Sequence, residues 1–556
     1  MEFMQCDVLV IGGGSAAGRA AIAAHDVGAS VLMVVKGKLG GGASGFSMSE
    51  MAGYNSPDGT ADASDSPEAF YNDIMDAAMG MADPAAAQVV AENAMATVAQ
   101  LEEWGVKFER NVDGGFYAFK SCYSTKARTH VIKGHGEPIV RAQTEQITKR
   151  DIAVREGMCG VALVVVDGEI AGLVALDSKG GKIAVAAKAV IMATGGATQA
   201  IARNMNPKEI SGDGYAMAYR AGAQLVNMEF MQAGMGFVYP ATSLINAYIW
   251  GSHPRLTNAA GYEFMNDLPE GLDWKEVMDE HRKHFPFSSR DISRWLEASI
   301  QREAAEGRAT AHGGVYADFT MMTNEYVSSL SDEYGVHRMW PIARDYFLSK
   351  GIDVLAGGTE VGCFSHAVNG GVKIDAQAAT SIPGLYAAGE TAGGPHGADR
   401  LGGNMFVTCQ IYGKIAGTNA AAYAKARNTL QPKQTAWAQA FDEIADTLYG
   451  DFDATAIRQQ LAQAGQEHLL VRRTESGLAS LLTRIDALEC AIGATKTGAI
   501  PHPENLSTAN LLLSARLMAT AALRRRESRG SHFREDYPDT DPAQGTPLVI
   551  DKSSTI

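Results

Sequence analysis

Residues 7–27 read DVLVIGGGSAAGRAAIAAHDV. Asp7-Val8-Leu9-Val10-Ile11 is a short apolar run of strand length, Gly12-Gly13-Gly14-Ser15-Ala16-Ala17-Gly18 follows, and small residues from Arg19 to Val27 make a helix. This is the G-x-G-x-x-[GA] spacing in the setting it requires, a strand before and a helix after. Gly12 turns the chain tightly, Gly14 lets backbone approach a pyrophosphate, and Ala17 lets the helix lie close on the strand. The stretch predicts an α/β fold built on a Rossmann-like dinucleotide-binding domain.

Going outward, the second strand, Ser30 to Val35, ends at Lys36, where a ribose-binding acid normally stands. An ammonium cannot accept from ribose hydroxyls, which weakens a plain NAD reading. GKLGGGASGFS, residues 37–47, is a second glycine-rich loop able to wrap a planar cofactor. Residues 67–104 read as two helices with Trp104 and Phe108 in the core, and the histidines and arginine of the polar loop after them (Arg128, His130, His135) read as structural. From Val161 the pattern becomes a β-meander with Asp167-Gly168 and Gly180-Gly181 turns. It returns through Ala189 to Met192 into Ala193-Thr194-Gly195-Gly196, a strand that rejoins the first sheet.

A helix and a strand occupy 212–235, and from about 236 to 354 the chain is richer in aromatics and charge, as an inserted domain would be. The dinucleotide-binding domain then resumes over 355–425, and residues 426–556 form a helical domain and tail whose last strong helix runs from Leu506 to Leu523. The resumed part holds IPGLYAAGETAGGPHGADRLGGNMFVTCQIYGKIAG, residues 382–417. A short strand there ends at Glu390, glycines follow, and a helix begins at Asn404. A glycine turn feeding a helix N-terminus offers free N–H groups and partial positive charge to an electron-accepting group. Inside the turn stands Arg400, whose planar fork suits a carboxylate.

Composition bounds the rest. A chain of 556 residues exceeds one core, so several domains are expected. The net charge of −15 argues against nucleic acid or anionic lipid as main partner. No apolar run reaches the ~18 residues of a membrane span, and the N-terminus enters a strand without a signal peptide, so a cytoplasmic protein is expected. Six scattered cysteines without a C-x-x-C pair exclude an iron–sulfur or zinc site built on close pairs, so no metal site is expected and any electron carrier is organic.

Together these pieces resemble the flavoprotein-subunit family of succinate dehydrogenase, fumarate reductase and L-aspartate oxidase. The motifs are GGGSAAGRAA, ATGG, GDGYAMAYRAGA followed by MEFMQ, SRDISRWLEASI, HAVNGGVKID, GLYAAGETAGGPHGADRLGGN and RRRESRGSHFREDYP, in family order over nearly the whole chain. The resemblance implies a two-dinucleotide FAD-binding domain with an inserted α+β capping domain and a C-terminal helical domain. It implies FAD held by Gly12, Gly14, Ala17, Lys36, Gly42, Ala43, Ser44, Gly45, Ala193, Thr194, Gly195, Asp213, Glu390, Arg400, Gly403, Asn404 and Met405. The family's second strand also ends in lysine, which removes the objection from Lys36. Members with covalent FAD attach it through a histidine in the loop after that strand. Residues 37–47 contain none, so non-covalent FAD is expected.

By the same resemblance Arg290 of FSSRDIS matches the family's proton donor, and His366 and Arg400 match the residues that hold a substrate carboxylate. Dicarboxylate-processing members carry an H-P-T-G stretch after M-E-F-x-Q and a later T-E-G-x-R-G-E-G-G run. This chain has Ala233-Gly234-Met235-Gly236 and no such run, with Tyr239, Trp250, His253 and Arg255 as candidate replacements on the recognition wall. The expected activity is hydride transfer between flavin N5 and a C=C or C–C bond activated by a carboxylate or carbonyl, on a small substrate other than plain fumarate. The alternatives are L-aspartate oxidase-like C–N oxidation, or a flavoprotein subunit exchanging electrons with an iron–sulfur or other electron-transfer partner.

Overall fold

The computed structural model describes residues 1–427, 434–444, 448–495 and 501–554; the parts of the expected helical domain and tail at 428–433, 445–447, 496–500 and 555–556 lie outside the described residues. Along the chain the elements that build the site are β1 (Glu2–Ile11), α1 (Ser15–Asp26), β2 (Val31–Val35), β3 (Ala153–Glu156), β4 (Cys159–Val166), β5 (Glu169–Leu176), β6 (Lys182–Met192), β7 (Met231–Tyr239), β8 (Arg255–Thr257), β9 (Val315–Asp318), β10 (Glu360–Val368), β11 (Leu385–Ala387), α2 (Asn404–Lys425) and α3 (Pro503–Arg524).

The central sheet has seven strands, β3-β2-β1-β6-β5-β4, with β11 also paired to β6. β1 runs parallel to β2 and β6, whereas β4, β5 and β6 pair antiparallel as the meander. Val8 to Val10 and all five residues of β2 are buried, as parallel strands covered on both faces must be. β6 joins the two halves: Ile183–Ala186 face the meander, while Val190–Met192 lie between β1 and β11.

α1 and α2 pack on one another through small residues. A Cβ at Gly417 would overlap Ala20 O, and one at Gly413 would stand 2.8 Å from Ala16 O. Only glycine lets these backbones close to that spacing.

A five-stranded sheet, Ser243–Leu244, β7, β10, β9, β8, forms the capping unit. β7 pairs with β10 from Met231 to Tyr239, so the boundary expected at 235/236 falls inside a strand. The hydrogen-bonded ladder, which composition does not report, sets where this sheet begins.

The C-terminal segment ties the units together. Arg525 donates to Glu229 at 2.5 Å and to Glu527 at 2.8 Å, Arg529 also donates to Glu527 at 2.8 Å, and all these groups are buried. Ser531 Oγ donates to Ala398 O at 2.8 Å, and Ser289 N–H donates to Gly530 O at 2.7 Å. The segment thus holds both the glycine turn before Arg400 and the segment carrying Arg290. Further on, Val549–Ile550 pairs antiparallel with Leu225–Val226. α3 has the length and mean hydropathy, 1.3, of a membrane-crossing helix, but 78% of its most apolar window is buried among the other elements, as in a core helix.

Candidate active site

One cavity runs from the β1–α1 turn to the capping sheet. Gly12, Gly13, Gly14 and Ser15 line its first end. Gly12 has φ +133°, and a Cβ there would overlap Ala193 O. A Cβ at Gly14 would meet nothing nearer than Ser44 Oγ at 3.3 Å, so the backbone is bare toward the cavity, as a pyrophosphate requires. Ala17 does not line the cavity; it lies beneath Gly12 and sets the helix–strand distance.

Lys36 lines the cavity, but its ammonium is turned to Asp213 Oδ2 at 2.8 Å and Ser211 Oγ at 2.7 Å. Burial raises the Asp213 carboxyl, and Lys36 with bonds from Asn510 and Ser211 more than offsets this, leaving it below the ordinary value. The lysine therefore fixes Asp213 as a carboxylate at the edge of the nucleotide end. Gly42, Ala43 and Ser44 line the cavity from the second glycine loop; Gly45 does not, and a Cβ there would overlap Gly40 O.

Ala193, Thr194 and Gly195 line the next section. Gly403, at φ +83°, caps α2 without a side-chain bond, and Gly402, Gly403, Met405 and Phe406 line the cavity, so the helix N-terminus opens into it. Asn404 stands behind them, its Oδ1 accepting from Asn55 Nδ2 at 2.6 Å. Glu390 accepts from Val368 N–H at 2.9 Å, and a Cβ at Gly196 would overlap its carboxylate. Burial pushes the Glu390 carboxyl up to about 7, although Val368 N–H and Arg400 pull the other way. Bare glycine backbone, a helix N-terminus and two half-buried acids along one cavity fit an extended FAD: the turn for its pyrophosphate, Glu390 and Thr194 for hydroxyls, and the α2 terminus for the end of the ring that gains charge.

At the far end Arg400 is 5% exposed. It donates to Gln232 Oε1 at 3.1 Å and Leu401 O at 3.2 Å, and its Nη2 lies 3.5 Å from His366 Nε2. Among the described residues no carboxylate approaches it within 4.0 Å. A buried guanidinium with only neutral partners is costly, and an arriving carboxylate relieves that cost. Burial and the cation beside it push His366 down to about 3, so it is a neutral imidazole.

Arg290 is not where the sequence placed it. It does not line the cavity: Nε and Nη2 donate to Asp399 at 3.1 and 2.9 Å, Nη2 also donates to Ala77 O at 2.9 Å, and the guanidinium lies 4.4 Å over the Tyr123 ring. Asp399, the neighbour of Arg400, draws it away and, against the effect of burial, raises its pKa. Exposed Asp76 stands 3.7 Å from Nη1, so Asp76, Arg290 and Asp399 make a charged line from the surface to the residue beside Arg400.

The candidate recognition residues are not on the wall either. Trp250 is fully buried in the capping core against His281 and Phe319, Tyr239 stacks on His312, His253 pairs with Asp279 at 3.1 Å, and Arg255 pairs with Glu263 at 2.6 Å. None of the four lines the cavity. The wall is formed instead by Phe285, Met205, Leu244 and Ala247, with Cys122, which the sequence reading missed. A Cβ at Gly234 would overlap the Phe285 ring, and one at Gly236 would meet Met205 and Phe364 at 3.1 Å. Two glycines spaced i, i+2 on one strand face were the available signal: they leave room for a large side chain from elsewhere.

Residues 7–406 match the family described as FAD binding domain, and 458–545 match fumarate reductase flavoprotein C-term. An uncharacterised FAD-dependent oxidoreductase of Methanocaldococcus jannaschii is 32% identical over 550 residues, 97% of this chain and 94% of its own. One of the subunits of the fumarate reductase (CoM/CoB) of Methanothermobacter marburgensis is 31% identical over 577 residues, 99% of this chain and 98% of its own. The solved structure of Mycobacterium smegmatis Sdh1 is similar over all of this chain and 93% of that one, with a TM-score of 0.85 at 28% identity. The two matched domains meet the glycine cradle at one end of the cavity and the uncompensated arginine at the other, and the chain accordingly belongs to the FAD-dependent oxidoreductase family of fumarate reductase, succinate dehydrogenase and L-aspartate oxidase.

Proposed function

We propose that the protein reduces, or in reverse forms, a C=C bond adjacent to a single carboxylate, on substrates other than plain fumarate. The observation that carries this reading is Arg400: buried, bonded only to neutral groups and set beside a neutral His366. Bound FAD supplies the hydride-exchanging centre. Arg400 receives the activating carboxylate in charge-assisted bonds, and His366 donates a second bond, so charge gathering on that carboxylate as the bond changes order is stabilised. The proton at the neighbouring carbon is assigned to Arg290 on its match to the family's proton donor; its guanidinium rests against Asp399 outside the cavity lining and would have to turn inward to deliver that proton, with Asp399 and Asp76 as its link to solvent. Phe285, Met205 and Leu244 exclude water there and give a second carboxylate next to the bond no cationic partner.

L-aspartate oxidase-like chemistry is the weaker reading. It needs a group to receive an ammonium beside the carboxylate, and the acids lining the cavity, Glu209, Asp213 and Glu390, lie toward the cofactor end. Two of the family's named relatives are subunits, and this chain's cysteines offer no close pair. We propose that electrons pass to or from a protein partner carrying iron–sulfur clusters.

The test is a panel of kcat/KM values for fumarate, aryl acrylates and longer enoates with a reduced artificial donor. Fumarate is expected to be poor, because an unpaired buried carboxylate costs several kcal/mol. Fumarate leading the panel by ~10-fold or more would overturn the reading.

A further inference from the structure

Charge along the cavity is segregated. The carboxylates that line it, Glu209, Asp213 and Glu390, belong to the cofactor half, and Asp213 is already paired with Lys36. Besides Lys36 and Lys38 near the second glycine loop and Arg400 at the grip, the cationic lining residues are Lys120, Arg282 and Lys283. Each has an acid beside it, Glu333 at 3.3 Å, Asp279 at 3.5 Å and Glu280 at 2.7 Å, but none of these acids lines the cavity. They are 50%, 44% and 30% exposed, against 32%, 24% and 44% for the cations they face. Exposed pairs of this kind contribute little, so exchanging one for a ligand anion costs little. Arg282 Nε is buried and makes no hydrogen bond, its nearest acid being Asp279 at 3.5 Å, and Tyr334 lies 5.9 Å from both Lys120 and Arg282.

We propose that this mouth is a second anion subsite, and that the substrate is an α,β-unsaturated carboxylate carrying another anionic group at its far end across an apolar spacer. The inference rests on the reading of Arg400 and His366 as the inner carboxylate grip. Its geometry follows from the chain. Ser121 Oγ donates to Gly402 O at 3.1 Å, which anchors the Lys120 segment next to the Arg400 turn. The Phe285 ring meets His366 at 5.4 Å, and Lys283 stands two residues before it. Phe285, Leu244 and Met205 pack together as one apolar wall of the cavity that these cations also line. In fumarate the carboxylates are one C=C apart, so a molecule held by Arg400 leaves its other carboxylate against these apolar groups, short of the cations. A spacer of several carbons places an apolar chain against the wall and delivers the second charge to Lys120, Arg282 and Lys283, where it gains charge-assisted bonds. Cations gathered at a cavity mouth also raise the local concentration of an anionic substrate.

The test uses the FAD-loaded protein and three saturated acids, hexanoate, adipate and succinate, with dissociation constants read from the perturbation of the oxidised flavin spectrum. Adipate is expected to bind at least ~10-fold more tightly than hexanoate or succinate at low salt. In the double variant Lys120→Glu, Lys283→Glu, the adipate-to-hexanoate ratio should fall to about one or invert. Raising ionic strength on the unmodified protein from ~20 to ~300 mM should shrink the same ratio, which covers a variant that fails to fold. Equal affinities for adipate and hexanoate in the wild type, or a ratio unmoved by the double variant, would remove the subsite. Turnover of hex-2-enoate and hex-2-enedioate separates the two claims. If adipate keeps its advantage but neither enoate is reduced, the chemical reading fails and the subsite stands; if both are reduced equally and adipate has no advantage, only the subsite fails.

Discussion

Glu390 shows how much one residue's setting can fix. Its carboxyl is moved up from 4.5 to about 7, chiefly by burial. In the folded apo chain it therefore holds a proton between those values while the unfolded chain has lost it. Stability from this group is fully present below pH 4.5 and declines as pH rises through about 7. Apo-protein unfolding followed against pH should show that decline, and Glu390→Gln should flatten it; an unchanged slope in the variant would place the titration elsewhere. Arg290 gives a second prediction. Replacing it by Lys exchanges a fork that reaches Asp399 and Ala77 O for a point charge, and turnover should fall by at least ~10²-fold with flavin binding intact. Turnover near wild type in Arg290→Lys would remove it from the proton line. Gly12, His366 and Arg400 were legible because each sits inside a motif whose spacing fixes backbone and direction together. Trp250, His253, Arg255 and Tyr239 were not, because in irregular chain the direction of a side chain depends on partners far away in sequence. The Arg290–Asp399 pair was equally hidden: both residues stood in recognised motifs, yet nothing in either motif states that their side chains meet.

Among the elements, the β1–α1 unit, the meander and the helix from Asn404 were legible from period and punctuation, and the last helix extends only slightly beyond its expected span, to Pro503–Arg524. The start of the capping sheet was not, since β7 acquires its identity by pairing with β10 more than a hundred residues later. The buried network of Arg525, Glu229, Glu527 and Arg529 was not legible: its members stood in two separate motifs, RRRESRGSHFREDYP and MEFMQ, and charge along a sequence does not show which acids it will be buried with. Arg525→Ala leaves Glu229 and Glu527 short of a partner in the interior, and such a loss typically costs ~3–5 kcal/mol. Denaturant unfolding should show that drop. The double variant with Glu229→Ala should lose clearly less than the sum of the single losses, since the residues share one network. Simple additivity would mean the contacts act independently.

Taken whole, the molecule is a cofactor cavity roofed by an inserted sheet, its units tied together by the C-terminal segment, and the order of family motifs along the chain predicted that arrangement. The non-covalent state of the cofactor is the remaining expectation: acid precipitation should release all the yellow colour to the supernatant as FAD. Flavin remaining with the pellet would require an attachment point outside residues 37–47. Val549–Ile550 lies against Leu225–Val226, which pairs on its other side with Gly371–Val372. The edge of a sheet near the cofactor domain is thus completed by a strand that leaves the ribosome long after Leu225 has emerged. During synthesis that edge stays open while the capping unit and the helical domain are made, and the entropy of closing so long a loop must be met in one late step. The growing chain carries an unfinished sheet through that interval, and the segment around Val549 sets when the sheet first becomes whole.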